Sequence, residues 1–189
     1  MTREEVADLR AALSKGSDET ILEAVRQAES FLAAQLQAGL ASDARAMNMA
    51  VVPAAILSFL VGGTATMLAS DKVTLGWHLA TAIELIGSFG VSLWFAVQAA
   101  KPTDFDYAGS SPRFWRKDAL EKRPLVQSLA AQAAQYADGI SCNAIVLTQS
   151  HSRQKWALNI MGLGLVGAVA IEGLILFIFV AKNGFRALS

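Results

Sequence analysis

Three long stretches of this sequence carry almost no charge. Residues 46–70 contain no charged side chain, residues 73–100 contain only Glu84, and residues 156–181 contain only Glu172. An α-helix rises about 1.5 Å per residue, so roughly 20 apolar residues span the hydrocarbon of a bilayer. A buried helix of a soluble protein explains one such stretch better than three in a chain of 189 residues. We therefore predict an all-α integral membrane protein with three transmembrane helices.

The charged residues that border these stretches divide the chain into seven segments. We expect cytoplasmic N-terminal helices at 1–45, transmembrane helices at 46–70, 75–100 and 156–181, a short external loop at 71–74, a cytoplasmic loop and long helix at 101–155, and an external tail at 182–189. The chain therefore crosses the membrane three times, as a multi-pass protein.

Basic residues are concentrated on one side of the predicted membrane. Of the 16 Lys and Arg residues, only Lys72, Lys182 and Arg186 lie outside 1–45 and 101–155. Because cytoplasmic loops carry an excess of Lys and Arg, the N-terminus is predicted inside and the C-terminus outside. The high alanine content suggests a bacterial source, and hence the inner (cytoplasmic) membrane.

We predict that the cytoplasmic segments are helical. Thr2 followed by Glu5 is typical of a capping box for a first helix that ends near Gly16, and Ser17 is placed to cap a second helix. Pro53 falls inside the first span and is expected to kink the helix without ending it.

Apolar residues recur at helical spacing in 18–45 and, after Pro124, in 124–155. Both helices lead into spans from the same side, so they run parallel and would extend about 40–50 Å into the cytoplasm. Their apolar stripes predict a stalk, either a coiled coil within the chain or a surface for other copies or a partner. The alternative is that both helices lie flat on the membrane.

Glu84 and Glu172 are the candidate functional residues within the membrane. Each lies nine residues from the predicted outer end of its span, so both are expected at one depth, near the midplane. A charge there is costly, and no Lys or Arg lies in any span. We expect a shared proton, hydrogen bonds to hydroxyl groups, or a hydrated cavity that binds cations.

Each predicted span also has one polar or small face. The stripes consist of Ser58, Gly62, Thr66 and Ser70 in span one, Thr81, Glu84, Ser88 and Ser92 in span two, and Gly164, Ala168 and Glu172 in span three. Small residues let membrane helices approach closely. Gly62, Gly164 and Ala168 are therefore predicted to serve helix packing, and the hydroxyl residues to line an intramembrane polar path or to hydrogen-bond between helices.

Other motifs do not favour catalysis. Gly162, Gly164 and Gly167 spell G-x-G-x-x-G, but no strand precedes them. His78 and Ser88 are about 15 Å apart along one helix. The sequence predicts no enzyme, no cofactor and no metal site.

Two further pairs of residues resemble functional motifs but suit structural roles better. Asp104 and Asp106 form D-x-D, which suits a solvated turn better than a cation site, and Cys142 and His151 fall on opposite helix faces. The net charge of zero argues against nucleic acid as a partner.

The sequence is consistent with two functions. The first is a non-enzymatic membrane scaffold or accessory subunit, which packs through its spans against lipid and a membrane-complex partner and uses the stalk for assembly. The second is a homo-oligomer that conducts cations or protons, such as a channel or pore-type effector, with Glu84 and Glu172 at the polar path.

Overall fold

The computed structural model describes residues 1–69, 76–101, 103–109 and 112–186. Within these ranges it contains five α-helices and no strand: α1 (Arg3–Leu13), α2 (Asp18–Ala69), α3 (Gly76–Ala99), α4 (Pro112–Leu120) and α5 (Leu125–Arg186). The prediction of an all-α fold is confirmed. The predicted loop at 71–74 and the end of the predicted tail, 187–189, lie outside the described residues.

Helices α2, α3 and α5 are each long and apolar enough to cross a membrane. In the most apolar window of each helix, only 6%, 22% and 11% of the residues are buried within the chain. Side chains such as Phe59, Leu163 and Phe177 are more than two-thirds exposed. These helices therefore present apolar surface that an aqueous environment does not favour.

Local hydrogen bonds place the first two helices where the sequence predicted them. The Thr2 N–H donates to Glu5 Oε2 at 2.7 Å, and the Glu5 N–H donates to Thr2 Oγ1 at 3.2 Å, which completes the capping box. The bond from the Thr2 N–H lowers the pKa of Glu5 below its usual value. The Thr20 N–H donates to Ser17 Oγ at 3.3 Å, so Ser17 caps α2 as predicted.

Helices α2 and α5 continue without a break through the predicted boundaries near residues 45 and 155. Pro53 lies inside α2 and does not end it. Helix α4 was not predicted, because nine residues with four charges show no long apolar period. It begins with Pro112, the residue type that suits the first helical position.

The chain forms two compact units. The first unit comprises residues 1–42 and 102–149, and the second comprises residues 43–101 and 150–189. Helices α2 and α5 contribute residues to both units.

In the first unit, α2 and α5 pack side by side and run in the same direction. Gln35 Nε2 donates to the Ile140 carbonyl oxygen at 3.1 Å, and the Tyr136 hydroxyl donates to Glu29 Oε1 at 3.1 Å. The partners are separated by 105 and 107 positions, and this near-constant separation is the signature of a parallel pair. The centre of this unit is a cluster of Val25, Leu32, Ala133 and Tyr136.

Along each helix of this pair, a series of inward-facing residues is separated alternately by four and three positions. On α2 this spacing runs through Ile21, Val25, Ala28, Leu32, Gln35, Gly39 and Ser42, and Ala24, Glu29 and Leu36 are also half-buried. On α5 the same spacing runs through Ala133, Tyr136, Ile140, Asn143 and Leu147. The mean step of 3.5 residues keeps one face of each helix directed at the other.

The segment 103–109 crosses this pair as a strap held by α5. Asn143, which is 1% exposed, accepts from the Asp106 N–H at 3.0 Å and donates to the Asp106 carbonyl oxygen at 2.8 Å. The Gly109 N–H donates to the Tyr136 hydroxyl at 2.9 Å. A Cβ at Gly139 would lie 2.9 Å from the Cβ of Asp106, so only glycine lets the strap lie this close to α5.

Candidate functional site

In the second unit, α3 and α5 pack as an antiparallel pair. Ser92 Oγ donates to the Ala157 carbonyl oxygen at 2.8 Å. Toward the end of α3, Ser150 Oγ donates to the Ala99 carbonyl oxygen at 3.2 Å. Residue numbers rise along α3 as they fall along α5, which defines the antiparallel direction. Helix α2 joins this pair, because residues of all three helices line an apolar cavity of about 290 Å³.

Two glycines of α5 make room for the polar face of α3. A Cβ at Gly167 would lie 3.1 Å from Glu84 Oε1, and a Cβ at Gly164 would overlap the Ser88 side chain. A Cβ at Gly162 would meet no atom within 4 Å. Of the three glycines in the G-x-G-x-x-G pattern, two therefore support close packing inside the chain, as predicted, and Gly162 does not.

The hydroxyl residues of α3 follow the predicted stripe. Thr81 and Ser92 are 6% and 3% exposed. Ser88 Oγ donates to the Leu85 carbonyl oxygen of its own helix at 3.2 Å. Ala168 of α5 is also buried.

Glu84 lies half-buried on this face with one carboxyl oxygen unsatisfied. Its Oε2 atom is buried and has no hydrogen-bond partner among the described residues. Buried polar atoms are normally paired, so each exception calls for a physical reason. A proton, a hydrated ion or a group from another chain would each satisfy this oxygen.

Glu172 has a partner that was not predicted. His78 Nδ1 lies 3.3 Å from Glu172 Oε1, and both side chains are about half exposed. The sequence contained the signal, because His78 precedes Thr81 by three residues and so extends the polar stripe by one turn.

The contact between His78 and Glu172 corrects the expectation that the two carboxyls lie at one depth. It places Glu172 level with position 78, six residues from Glu84, or about 9 Å along the helix pair. The distance of a residue from the end of its own apolar stretch does not determine its level relative to a residue on another helix. The packing of α3 on α5 sets a different alignment.

Among the residues that the structure describes, the polar stripe of the first span makes no such contacts. Ser58 and Thr66 donate to the carbonyl oxygens of Ala54 and Gly62, at 2.9 and 2.8 Å along their own helix. A Cβ at Gly62 would meet no atom within 4 Å. Ser70 lies outside the described residues. The packing role of Gly62 stays a prediction for contact with another chain.

The remaining candidates lie in the first unit. Asp104, Asp106 and Cys142 are exposed. Among the residues that the structure describes, no three His, Cys, Asp or Glu side chains come together as a set that could hold a metal ion.

Comparison of the chain with protein-family models, with curated proteins and with solved structures finds no significant match.

We predict that Gly164→Leu lowers the melting temperature of the detergent-solubilised protein, whereas Gly162→Leu does not. The added side chain at 164 collides with Ser88, and overpacking of this kind costs about 1–3 kcal/mol. Both substitutions remove a helical glycine, so the Gly162 variant controls for helix propensity. Thermal unfolding followed by circular dichroism measures the difference. Equal melting temperatures would show that α3 and α5 do not pack through Gly164.

Proposed function

We propose that this chain is a non-enzymatic, multi-pass scaffold or accessory subunit of the bacterial inner membrane. Its spans pack in the bilayer, and its first unit is a cytoplasmic stalk that binds a partner. The observation that carries the proposal is the continuity of α2 and α5, each of which is one helix from an apolar segment into a tightly packed parallel pair.

The exposed apolar surface of the second unit supports insertion in the bilayer. Large side chains such as Phe59, Val169 and Phe177 are more than 70% exposed in the isolated chain. Lipid tails or neighbouring membrane helices would cover them, because such surface is unfavourable in water.

The distribution of basic residues supports the orientation. Of the 16 Lys and Arg residues, five lie in 1–45 and eight in 101–155, so the positive-inside rule places both segments in the cytoplasm. The N-terminus is then inside and the C-terminus outside. The first unit as a whole faces the cytoplasm.

The spacing along α2 and α5 supports a parallel coiled-coil stalk. Inward positions alternate in steps of four and three from Ile21 to Ser42, which is the pattern of coiled-coil packing. The outer surface of the first unit still carries exposed apolar side chains, among them Leu22, Phe31 and Leu40. These residues are candidates for contact with a partner, because a solvated stalk gains nothing from exposing them.

The single cysteine offers a direct test of orientation. Cys142 is exposed in the first unit, so a membrane-impermeant maleimide should label it in inside-out vesicles and not in intact cells. A Cys142→Ala, Ser189→Cys variant should show the reverse, because the tail is placed outside. Labelling of Cys142 in intact cells would contradict the proposed topology.

The scaffold proposal predicts a second protein at fixed stoichiometry. When the full chain is extracted in mild detergent, native mass analysis should find a companion whose molar ratio is constant across preparations. Phe31→Glu should lower this ratio several-fold, because it charges an exposed apolar side chain of the stalk. Gln37→Glu, an exposed residue on a different face of the same helix, is the matched control and should leave the ratio unchanged.

Two results would count against this proposal. A homo-oligomer without a companion would contradict the accessory role. An unchanged ratio in the Phe31 variant, alongside a companion, would show that this surface of the stalk is not where the partner binds.

A conducting homo-oligomer is the second candidate function, and one observation favours it. The buried Glu84 Oε2 has no partner among the described residues, and the His78–Glu172 pair lies on the same helix pair. Ionisable side chains within membrane helices often mark ion or proton pathways. A ring of such carboxyls in an oligomer would favour cations.

Flux through liposomes tests this second function. If the oligomer conducts, reconstituted protein should pass protons or monovalent cations, and Glu84→Gln or Glu172→Gln should reduce the flux several-fold. Glu19→Gln, an exposed carboxyl of the first unit, should leave it unchanged. Flux no greater than in empty liposomes would exclude conduction under the conditions used.

A further inference from the structure

The first unit contains an open cavity of about 480 Å³ between the strap, α4 and α5. This is within the size range of small-molecule sites. One face of α5, from Ser128 to Gly139, forms one side of the cavity. These two residues are eleven positions apart, so this side is about 16 Å long. The cavity is thus an elongated groove, and it lies wholly within one compact unit.

The basic residue of the groove is already neutralised. Arg123 Nη1 lies 2.9 Å from Asp118 Oδ1, and Arg123 Nη2 lies 3.3 Å from Glu121 Oε2. These three side chains are near the start of α5, at one end of the groove. An anionic ligand would have to compete with two carboxylates for this guanidinium.

The opposite end of the groove carries an unbalanced negative charge. Asp106 lies against Gly139, and no cationic group lies within 4.0 Å of its carboxylate in the described ranges. Its hydrogen bonds to Asn143 use only the backbone N–H and carbonyl oxygen. The Asp106 carboxylate is therefore not needed to hold the strap.

A serine hydroxyl group lines the other half of the groove. Ser128 as a whole is 6% exposed, but its Oγ is not fully buried, and no hydrogen bond of this atom is seen among the described residues. A serine hydroxyl within a helix often donates to the carbonyl oxygen four residues earlier. Here that oxygen belongs to Pro124, and it already accepts from the N–H groups of Gln127 and Ser128. The Ser128 hydroxyl can therefore accept from a ligand.

Aromatic side chains complete the wall. Tyr107 of the strap and Trp115 of α4 both line the groove. Aromatic faces attract organic cations and cover aliphatic chains. The Tyr136 hydroxyl is unavailable, because it accepts from Gln132 at 2.6 Å and from Gly109, and donates to Glu29.

We propose that this groove binds a linear organic polycation of the polyamine class. One ammonium group pairs with the Asp106 carboxylate, the aliphatic chain lies along Tyr107 and Trp115, and a second amine donates to Ser128 Oγ. A carboxylate without a cationic partner at one end of a groove about 16 Å long, and the Ser128 hydroxyl toward the other end, match a ligand with donors at both ends. The proposal does not depend on whether the spans serve a scaffold or a channel.

Isothermal titration calorimetry of the full chain in an uncharged detergent tests the site, with spermidine as the probe. Wild-type protein should show one saturable site. Asp106→Asn should weaken binding about tenfold or more, because a hydrogen-bonded ion pair is lost. Asp104→Asn is the matched control, since it removes the same charge from the same exposed strap outside the groove, and should change affinity less than about twofold.

A second variant and two other ligands distinguish a specific polyamine site from nonspecific binding. Ser128→Ala should weaken spermidine binding several-fold, and it carries the test if the Asp106 variant loses helical circular dichroism. Equal weakening by the Asp104 and Asp106 variants would overturn the proposal, because it would indicate only diffuse attraction. Absence of saturable binding, competition by inorganic phosphate, or equally tight binding of tetramethylammonium would each overturn it as well.

Discussion

The packing face of α5 is the feature on which the rest of the structure depends. This one helix supplies a wall to each compact unit, with α2 as a parallel partner in the first and α3 as an antiparallel partner in the second. Where α5 packs on α3 this face includes the small residues Gly164, Gly167 and Ala168, whereas against α2 it also carries Tyr136 and Ile140. Small residues let helix backbones approach closely, so that side chains can hydrogen-bond directly to the carbonyl oxygens of a neighbouring helix.

The polar groups within the apolar helices are tolerated because of this small face. Gly164 and Gly167 leave the space that Ser88 and Glu84 occupy. Ser92 reaches the Ala157 carbonyl oxygen for the same reason. Removing a side chain from one helix thus makes room for a polar side chain on the other.

Much of the fold could be predicted because it depends on local sequence. The absence of charge over more than twenty residues identifies a candidate span without any tertiary information. The capping box of Thr2 and Glu5 is likewise a local signal. Helix α4 was missed because its stability draws on neighbours more than on its own periodicity, as a nine-residue helix requires.

The candidate sites were harder to predict because they depend on alignment between helices. The pairing of His78 with Glu172 joins residues 94 positions apart, and no count along either helix fixes their relative level. The groove of the first unit needs the strap to be folded back on Asn143, which is a contact between residues 37 positions apart. The D-x-D pattern of Asp104 and Asp106 predicts a solvated turn, and nothing in it indicates that Asp106 lines a groove whereas Asp104 does not.

The polar residues buried between α2 and α5 have a consequence for the uniqueness of the fold. Apolar side chains that repeat every 3.5 residues fit nearly as well when one of two parallel helices is displaced by seven residues. Tyr136 distinguishes the two alignments, because its hydroxyl donates to one particular carboxylate, that of Glu29, whereas Gln35 donates to a backbone carbonyl oxygen, a group that every residue carries. A specific polar contact of this kind excludes alternative pairings. The Tyr136–Glu29 hydrogen bond therefore adds to the apolar contacts of the first unit a preference for one alignment.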